Sequence, residues 1–454
     1  MDSLEHVAAF AAHTKTSDMS PEVTARTALI LADCIGAIVG GAAEPDVTAL
    51  AARQSGSGPA LLIGTAQMRA AGTAALLNGT AGTTLEMDEG NQFCKGHPGM
   101  HTAPAALSAA AARRDVSGAD LLAAIAIGYD VGARVGIATQ LRPSMHPHGT
   151  WGAICAATAV ARLQGASAEQ MRHAISLSAS LGLSTSRRTM LEGGTVRNVF
   201  AGVSGQMGVL AGDMIAAGYT GDHDGVAQVF GHVVSDSFDE DAFAAELGER
   251  WEVTRNYFKM HSCCRYNHAA LDALATLQRA GDGLDHAAIQ SVLVETYALA
   301  VELDDPAPKN VLAGKFSVPF AMASALVNGT TGVDSFTMKN VQNPEILALA
   351  RRVKVVEDPA MTALLPHKRP ARVTLTMTSG EVMQAATETN RGDWSDPYPA
   401  DEIRDKYLSL TTRLWREDAA IRIWDMVMDI GHAPSIDVLL AEMANAPHTP
   451  ELKG

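Results

Sequence analysis

The sequence predicts a mainly α fold with a smaller α+β domain, the large helical domain being formed by both chain ends and the second domain inserted between them. Three observations point there. From the N-terminus to about residue 255, Ala, Leu, Gly and Met dominate, with few β-branched alternations. After about residue 266 alternating patterns appear, and beyond 395 the helical pattern returns in DEIRDKYLSLTTRLWREDAAIRIWDMVMDI. At 454 residues the chain also exceeds what one hydrophobic core normally serves. The expected division is residues 1–265 helical, 266–395 α+β, and 396–454 rejoining the first part.

The helical elements carry their own start signals. Ser20 precedes Pro21 and Glu22, Ser117 precedes GADLLAAI, and Ser167 has Gln170 three residues on. Each serine offers an acceptor to first-turn amides that lack partners. Gly128, Gly132 and Gly136 recur every four residues, removing bulk from one face so that a second helix can approach closely. In the second domain, Val292 to Tyr297 and RRVKVVED read as strands, and ARVTLTMTSGEVMQAATET reads as a hairpin turning at Ser379-Gly380. GKFSVPFAMASALVNG reads as a helix entered through a proline-containing loop.

Composition excludes several classes. With 47% hydrophobic and 19% charged residues and a mean hydropathy of +0.05, the chain is a packed globule, not a disordered or fibrous one. A formal net charge of −15 argues against nucleic acid, whose binders need basic surfaces. An anionic substrate would therefore require Arg and Lys gathered inside a cleft to overcome the overall field. The five cysteines, at 34, 94, 155, 263 and 264, form no CxxC pair, and the start MDSLEHVAAF lacks signal-peptide character, so a cytoplasmic setting is expected. No uninterrupted apolar run reaches the roughly 20 residues of a membrane helix, so no span is expected.

Chemistry-bearing residues fall in four clusters. The segment from Asn78 to His101, expected as a polar loop, holds Glu86, Asp88, Glu89, Lys95, His97 and His101. His97 and His101 are four apart, but Pro98 and Gly99 argue against a helix, and with no third ligand a metal pair is not favoured. SMHPHGTWG places His146 and His148 before a helix amino end, where an anion is favoured. Arg197 is the solitary cation near the start of a glycine-rich helix, opposing its dipole and calling for a partner such as a carboxylate. NYFKMHSCCRYNHAALDAL gathers Lys259, His261, Arg265, Tyr266 and His268 around two thiols expected to be buried and inert. The acidic run from Asp236 to Asp241 reads as a solvated loop and helix start.

Taken in order, LADCIGAIVGG, the NG…LEMDE…HPG run, GYDVGARVG, MHPHGTWGAICAATAVARLQG, FKMHSCCRYNHAALDAL and GKFSVPFAMASALVNG resemble the MmgE/PrpD family. That family includes 2-methylcitrate dehydratases, cis-aconitate decarboxylases and iminodisuccinate epimerase. The resemblance implies a large helical domain built from both ends, a smaller α+β domain, and commonly a homodimer. Carried over by position, Glu86 and Asp88 fall on an acidic pair, His97 on the HP histidine, His146 on the histidine before the Gly-rich helix start, and Lys259 on the lysine before the domain switch. Thr83 and Glu86 depart from an HxxDxDD pattern, Arg197 stands where lysine is common, and Phe320 where tyrosine occurs.

The expected chemistry is proton removal α to a carboxylate of a small di- or tricarboxylic acid, without a cofactor and without a metal. His97, Lys259 and His146 are the acid/base candidates; Glu86, Asp88, Arg197, His261 and Arg265 are the binding candidates. Arginine stays charged and clamps a carboxylate, whereas burial and neighbours can bring Lys259 or His97 towards neutrality. Dehydration, decarboxylation and epimerisation all remain open to such a site, as does a non-catalytic carboxylate-binding role; a metal-dependent hydrolase is a weaker alternative.

Overall fold

A computed structural model describes residues 2–113, 115–280 and 284–448. The three serine starts are realised: Ser20 accepts from the Val23 amide, Ser117 from Asp120, and Ser167 forms a reciprocal capping box with Gln170. The helices Pro21–Ala42, Ala71–Thr84, Pro98–Arg113, Gly118–Ala138, Gly152–Leu163 and Phe200–Ala216 pack around one large apolar core.

Small residues let these helices touch. A Cβ added at Gly128 would lie 2.6 Å from the Cys155 carbonyl oxygen, and one at Gly132 would run into the Cys155 side chain. Neither neighbour can retreat, because Cys155 is wholly buried within Gly152–Leu163. Gly128→Ala is therefore expected to destabilise the protein by about 1–3 kcal/mol in chemical denaturation, despite the higher helix propensity of alanine.

Three helices, Pro21–Ala42, Gly118–Ala138 and Thr195–Ala216, are long and apolar enough to cross a membrane by length and composition. This corrects only the premise that no apolar stretch is long enough: isolated residues such as Asp33, Asp130, Arg134 and Arg197 interrupt the runs without lowering their average enough. Those polar residues are themselves buried and paired, Asp130 with Arg134 at 2.5 Å, and 94% of the apolar window of Gly118–Ala138 is covered by protein.

A smaller core forms around a four-stranded sheet in the order Val382–Thr387, Ala371–Met377, Ile289–Thr296, Val353–Glu357. The last pair is parallel and the others are antiparallel. Ala371, Val373, Leu375 and Met377 point inward while Arg372, Thr374 and Thr376 do not, the period-two pattern of a one-sided sheet. Helices His268–Ala280 and Val318–Asn328 cover its buried side. The later helix Ala400–Thr411 packs back on Pro21–Ala42, where Gly36 admits the ring of Tyr407.

The stretch from Asn78 to His101 is not one loop. Residues up to Thr84 complete the helix Ala71–Thr84, and a helix begins again at Pro98, so His101 is helical. The expectation that Pro98 and Gly99 argue against a helix is thus corrected. Proline is well suited to a first helical position, and the Glu89 carboxylate accepts from the Gly99 amide at 2.7 Å, serving a first-turn donor that would otherwise be orphaned.

Candidate active site

Between these two helices the chain makes a tight passage through Leu85, Glu86, Met87, Asp88 and Glu89, all of them buried. Glu86 has φ 54°, a left-handed conformation that a side chain adopts at a cost of about 1–3 kcal/mol. Distant groups hold it there. The Leu85 carbonyl accepts from Lys315 Nζ at 2.7 Å and from the Ser262 hydroxyl at 2.6 Å. The Met87 carbonyl accepts from Lys406 Nζ at 2.5 Å, and the Glu89 amide donates to Asp33 at 3.0 Å.

The strained turn delivers two carboxylates to buried cations. Lys259 Nζ lies 3.1 Å from Glu86 and 3.4 Å from Asp88, and the Arg197 guanidinium is in ion-pair contact with Glu86. Burial alone would raise the Glu86 pKa; Arg197 and Lys259 overturn this and hold it below the ordinary carboxylate range. Burial likewise disfavours the charge on Lys259, yet Glu86 and Asp88 hold its pKa above the usual lysine value. Glu86 and Asp88 thus favour the charged form of Lys259, the direction opposite to the shift that would bring it towards neutrality. It lies behind Glu86, outside the cavity lining.

His97 is placed differently. Its Nδ1 is 2.6 Å from the Glu89 carbonyl oxygen and 3.1 Å from Asp88. A carbonyl oxygen only accepts, so Nδ1 carries the proton and the neutral ring presents Nε2 as an acceptor. Burial lowers the His97 pKa, with Asp88 pulling in the opposite direction. His146 has the opposite tautomer: its Nδ1 accepts from the His148 amide at 3.0 Å, leaving an Nε2–H donor. Burial, then Arg197 and Arg187, hold His146 well below the ordinary histidine range.

One cavity collects these groups. It is lined by Glu86, His97, His146, His148, Arg197 and Arg265, together with Lys95, Arg187, Arg369, Tyr257 and Tyr266 among others. Five cationic side chains, Lys95, Arg187, Arg197, Arg265 and Arg369, face it against a single carboxylate, Glu86. The Arg197 guanidinium carbon lies 5.4 Å from the centre of the Phe316 ring, within reach of a cation–π contact. Among the described residues, no group of three His, Cys, Asp or Glu side chains is placed to hold a metal ion.

Two family-model matches decide the lineage: the MmgE/PrpD N-terminal domain over residues 5–241 and the MmgE/PrpD C-terminal domain over residues 261–430. The chain belongs to the MmgE/PrpD family. Similar proteins include a cis-aconitate decarboxylase of Aspergillus terreus, 24% identical with 96% of this chain and 95% of that protein covered. A cis-aconitate decarboxylase-like protein of Aspergillus oryzae is 24% identical, with 81% of each covered. The cis-aconitate decarboxylase of Mus musculus is 21% identical, covering 76% of this chain and 72% of that protein.

Several candidate positions taken from MmgE/PrpD motifs thus converge, while others do not. Asp88 touches His97 and Lys259 but stands outside the cavity lining. His261 is turned away, bonded to Thr331 at 2.5 Å and Asp272 at 3.0 Å, so the expectation that it binds substrate is not met by its placement. Phe320 lies in the smaller core, and Phe316 lines the cavity instead. Burial raises the thiols of Cys263, to about 12, and Cys264, to about 11, as expected of inert cysteines.

Sequence reasoning did not single out Arg369, Arg187, Lys315 or Lys406. Arg187 and Arg369 adjoin other basic residues, Lys315 sits in an apolar stretch and Lys406 in a charged one, and only the fold gives each a place. His148 had a signal, since it shares SMHPHGTWG with His146. Its ring sits between His97 and His101, with centroids 5.2 and 4.8 Å away.

Proposed function

We propose that this chain is a lyase of the dehydratase or decarboxylase type, moving a proton on the carbon next to a carboxylate in a small di- or tricarboxylic acid. The observation that carries this reading is the cavity's lining: five cations and one carboxylate, with Glu302 and Asp393 pairing Arg187 and Arg265 from outside it, in a chain whose net charge is −15. Such a pocket attracts polyanions and stabilises negative charge as it develops. The cis-aconitate decarboxylase relatives make cis-aconitate the first acid to test.

The histidine tautomers divide the work. His97 Nε2 accepts a proton from carbon, or returns one when protonated, and the Asp88 carboxylate near Nδ1 supports the imidazolium. Arg197 holds the carboxylate whose oxygens gain charge, and the His146 Nε2–H is available to the same developing oxyanion. Lys259 balances Glu86 and Asp88, so the two acids do not repel the substrate. If the proton leaves first, expulsion of hydroxide from the neighbouring carbon gives an alkene. If CO2 leaves, the electron pair passes into the adjacent carboxylate system, and carbon takes a proton from a His97 Nε2 first protonated from solvent, which returns the ring to its neutral form.

The test is an NMR screen in D2O of citrate, 2-methylcitrate, cis-aconitate and iminodisuccinate. The expected result is consumption of one acid with loss of water or CO2, and solvent deuterium at the carbon next to a carboxylate in any step that protonates carbon. Inversion of configuration with no loss of mass would replace the lyase with an epimerase. Thermal stabilisation by an acid with neither turnover nor exchange would leave only a binding protein.

A further inference from the structure

Arg369 is a buried cation with no carboxylate at ion-pair distance among the described residues. It is 4% exposed, lines the cavity, leaves Nε without a hydrogen-bond partner, and makes one bond of 3.3 Å from Nη2 to the Gln92 carbonyl oxygen. Its guanidinium carbon lies 5.1 Å from the centre of the Tyr266 ring. Arg265 is also 4% exposed; Asp393 holds its Nη2, while Nε and Nη1 have no partner. The Tyr257 ring is 4.3 Å from its guanidinium carbon. Asp393 in turn accepts from the Ser395 amide and hydroxyl, at 3.1 and 3.0 Å, so its orientation is fixed.

These contacts are lopsided. Of the two guanidinium groups only Arg265 meets a protein carboxylate, their central carbons lie 4.3 and 5.1 Å from aromatic ring centres, and buried N–H donors are left over. An uncompensated buried charge is strongly unfavourable, as is each unpaired donor, unless a ligand completes the set. A planar carboxylate matches the fork of a guanidinium with two parallel hydrogen bonds. Arg197, beside His97, likewise meets one carboxylate, Glu86, and leaves its Nε without a partner, so it can hold a ligand carboxylate at the reacting end.

We propose that Arg265 and Arg369 form a second carboxylate subsite, holding a carboxylate that does not react while Arg197 and His97 act at the other end of the molecule. This rests on the carboxylic-acid reading above and sharpens it. The substrate carries at least two carboxylates, one remote from the carbon that exchanges its proton, and the smaller α+β core supplies Arg369 from the segment leading into the strand Ala371–Met377.

Calorimetric titration with tricarballylate, a saturated tricarboxylate, tests it. Wild type binds, and Arg369→Gln weakens binding at least about tenfold, the value of a lost charge-assisted pair. Arg369→Lys, which keeps the charge without the fork, recovers part of the loss, and circular dichroism checks that both variants fold. With the acid that the NMR screen identifies, Arg369→Gln raises KM at least about tenfold and leaves kcat within about threefold, as expected when binding is lost equally from ground and transition states. Unchanged tricarballylate affinity in Arg369→Gln overturns the subsite and leaves the carboxylic-acid reading standing. A fall in kcat equal to that in kcat/KM also overturns it, because Arg369 would then act at the reacting group. Absence of tricarballylate binding to wild type overturns the subsite, and the NMR screen then decides the carboxylic-acid reading by itself.

Discussion

His97→Gln is expected to lower kcat by about 10²–10⁴-fold, the usual worth of a positioned acid/base group, with little change in thermal stability. Glutamine is the informative replacement. Its side chain is polar and of similar reach, with the amide at the level of Nε2, but it has no basic nitrogen to face the cavity. The pH profile supplies an independent check. Burial lowers the His97 pKa from its ordinary 6.5, so the neutral, proton-accepting form persists below that value. For a step that begins with His97 as base, kcat/KM should stay flat as pH falls through 6.5 and decline only at the lower, shifted pKa. Full turnover by His97→Gln would remove His97 from the chemistry, and an acid limb above 6.5 would contradict the lowering of its pKa by burial.

Local rules made much of the framework legible. Serine caps, the four-residue glycine spacing and the alternation of ARVTLTM each express short-range geometry, and each is found where the pattern put it. The histidines and acids from Glu86 to His97 stood out because polar residues in an apolar setting need a reason to be there. What pattern could not show was which way a side chain turns. His261 and Lys259 are two residues apart, yet one faces Thr331 and Asp272 while the other pairs with Glu86. Arg369, in HKRPAR, is indistinguishable by composition from Lys368 beside it, whose side chain is exposed and paired with Glu388. The difference between them is burial, which depends on how the two cores meet. The HPGMH segment failed for another reason. Proline and glycine were read as helix breakers when their position at a helix start, with Glu89 serving the Gly99 amide, makes them compatible with one.

Lys406→Met is expected to destabilise the fold by about 3–5 kcal/mol, the usual consequence of stripping one partner from a buried ion pair. Lys406 and Asp33 are 373 residues apart in sequence and 2.5 Å apart in space, both almost fully buried. Burial already raises the Asp33 pKa, and Lys406 is the largest influence opposing that rise. Without the lysine the folded-state pKa climbs further. An acid whose pKa is raised by folding binds its proton more tightly when folded, so stability is gained as pH falls. The deficit of Lys406→Met, measured by denaturant titration, should therefore be greatest above the raised Asp33 pKa and shrink as pH drops through it. Adding Asp33→Asn should recover much of the loss at neutral pH, because a neutral amide oxygen still accepts from the Glu89 amide. The functional effect should not recover with it. Lys406 also donates to the Met87 carbonyl, inside the strained turn that aims Glu86 at Arg197 and Asp88 at His97. A double variant with restored stability and lowered kcat would separate the lysine's two duties: offsetting a buried charge, and holding in register a turn that the 85–89 segment does not adopt without help. Restored stability with wild-type kcat would instead mean that Lys315, Ser262 and the Glu89 contact suffice to hold the turn.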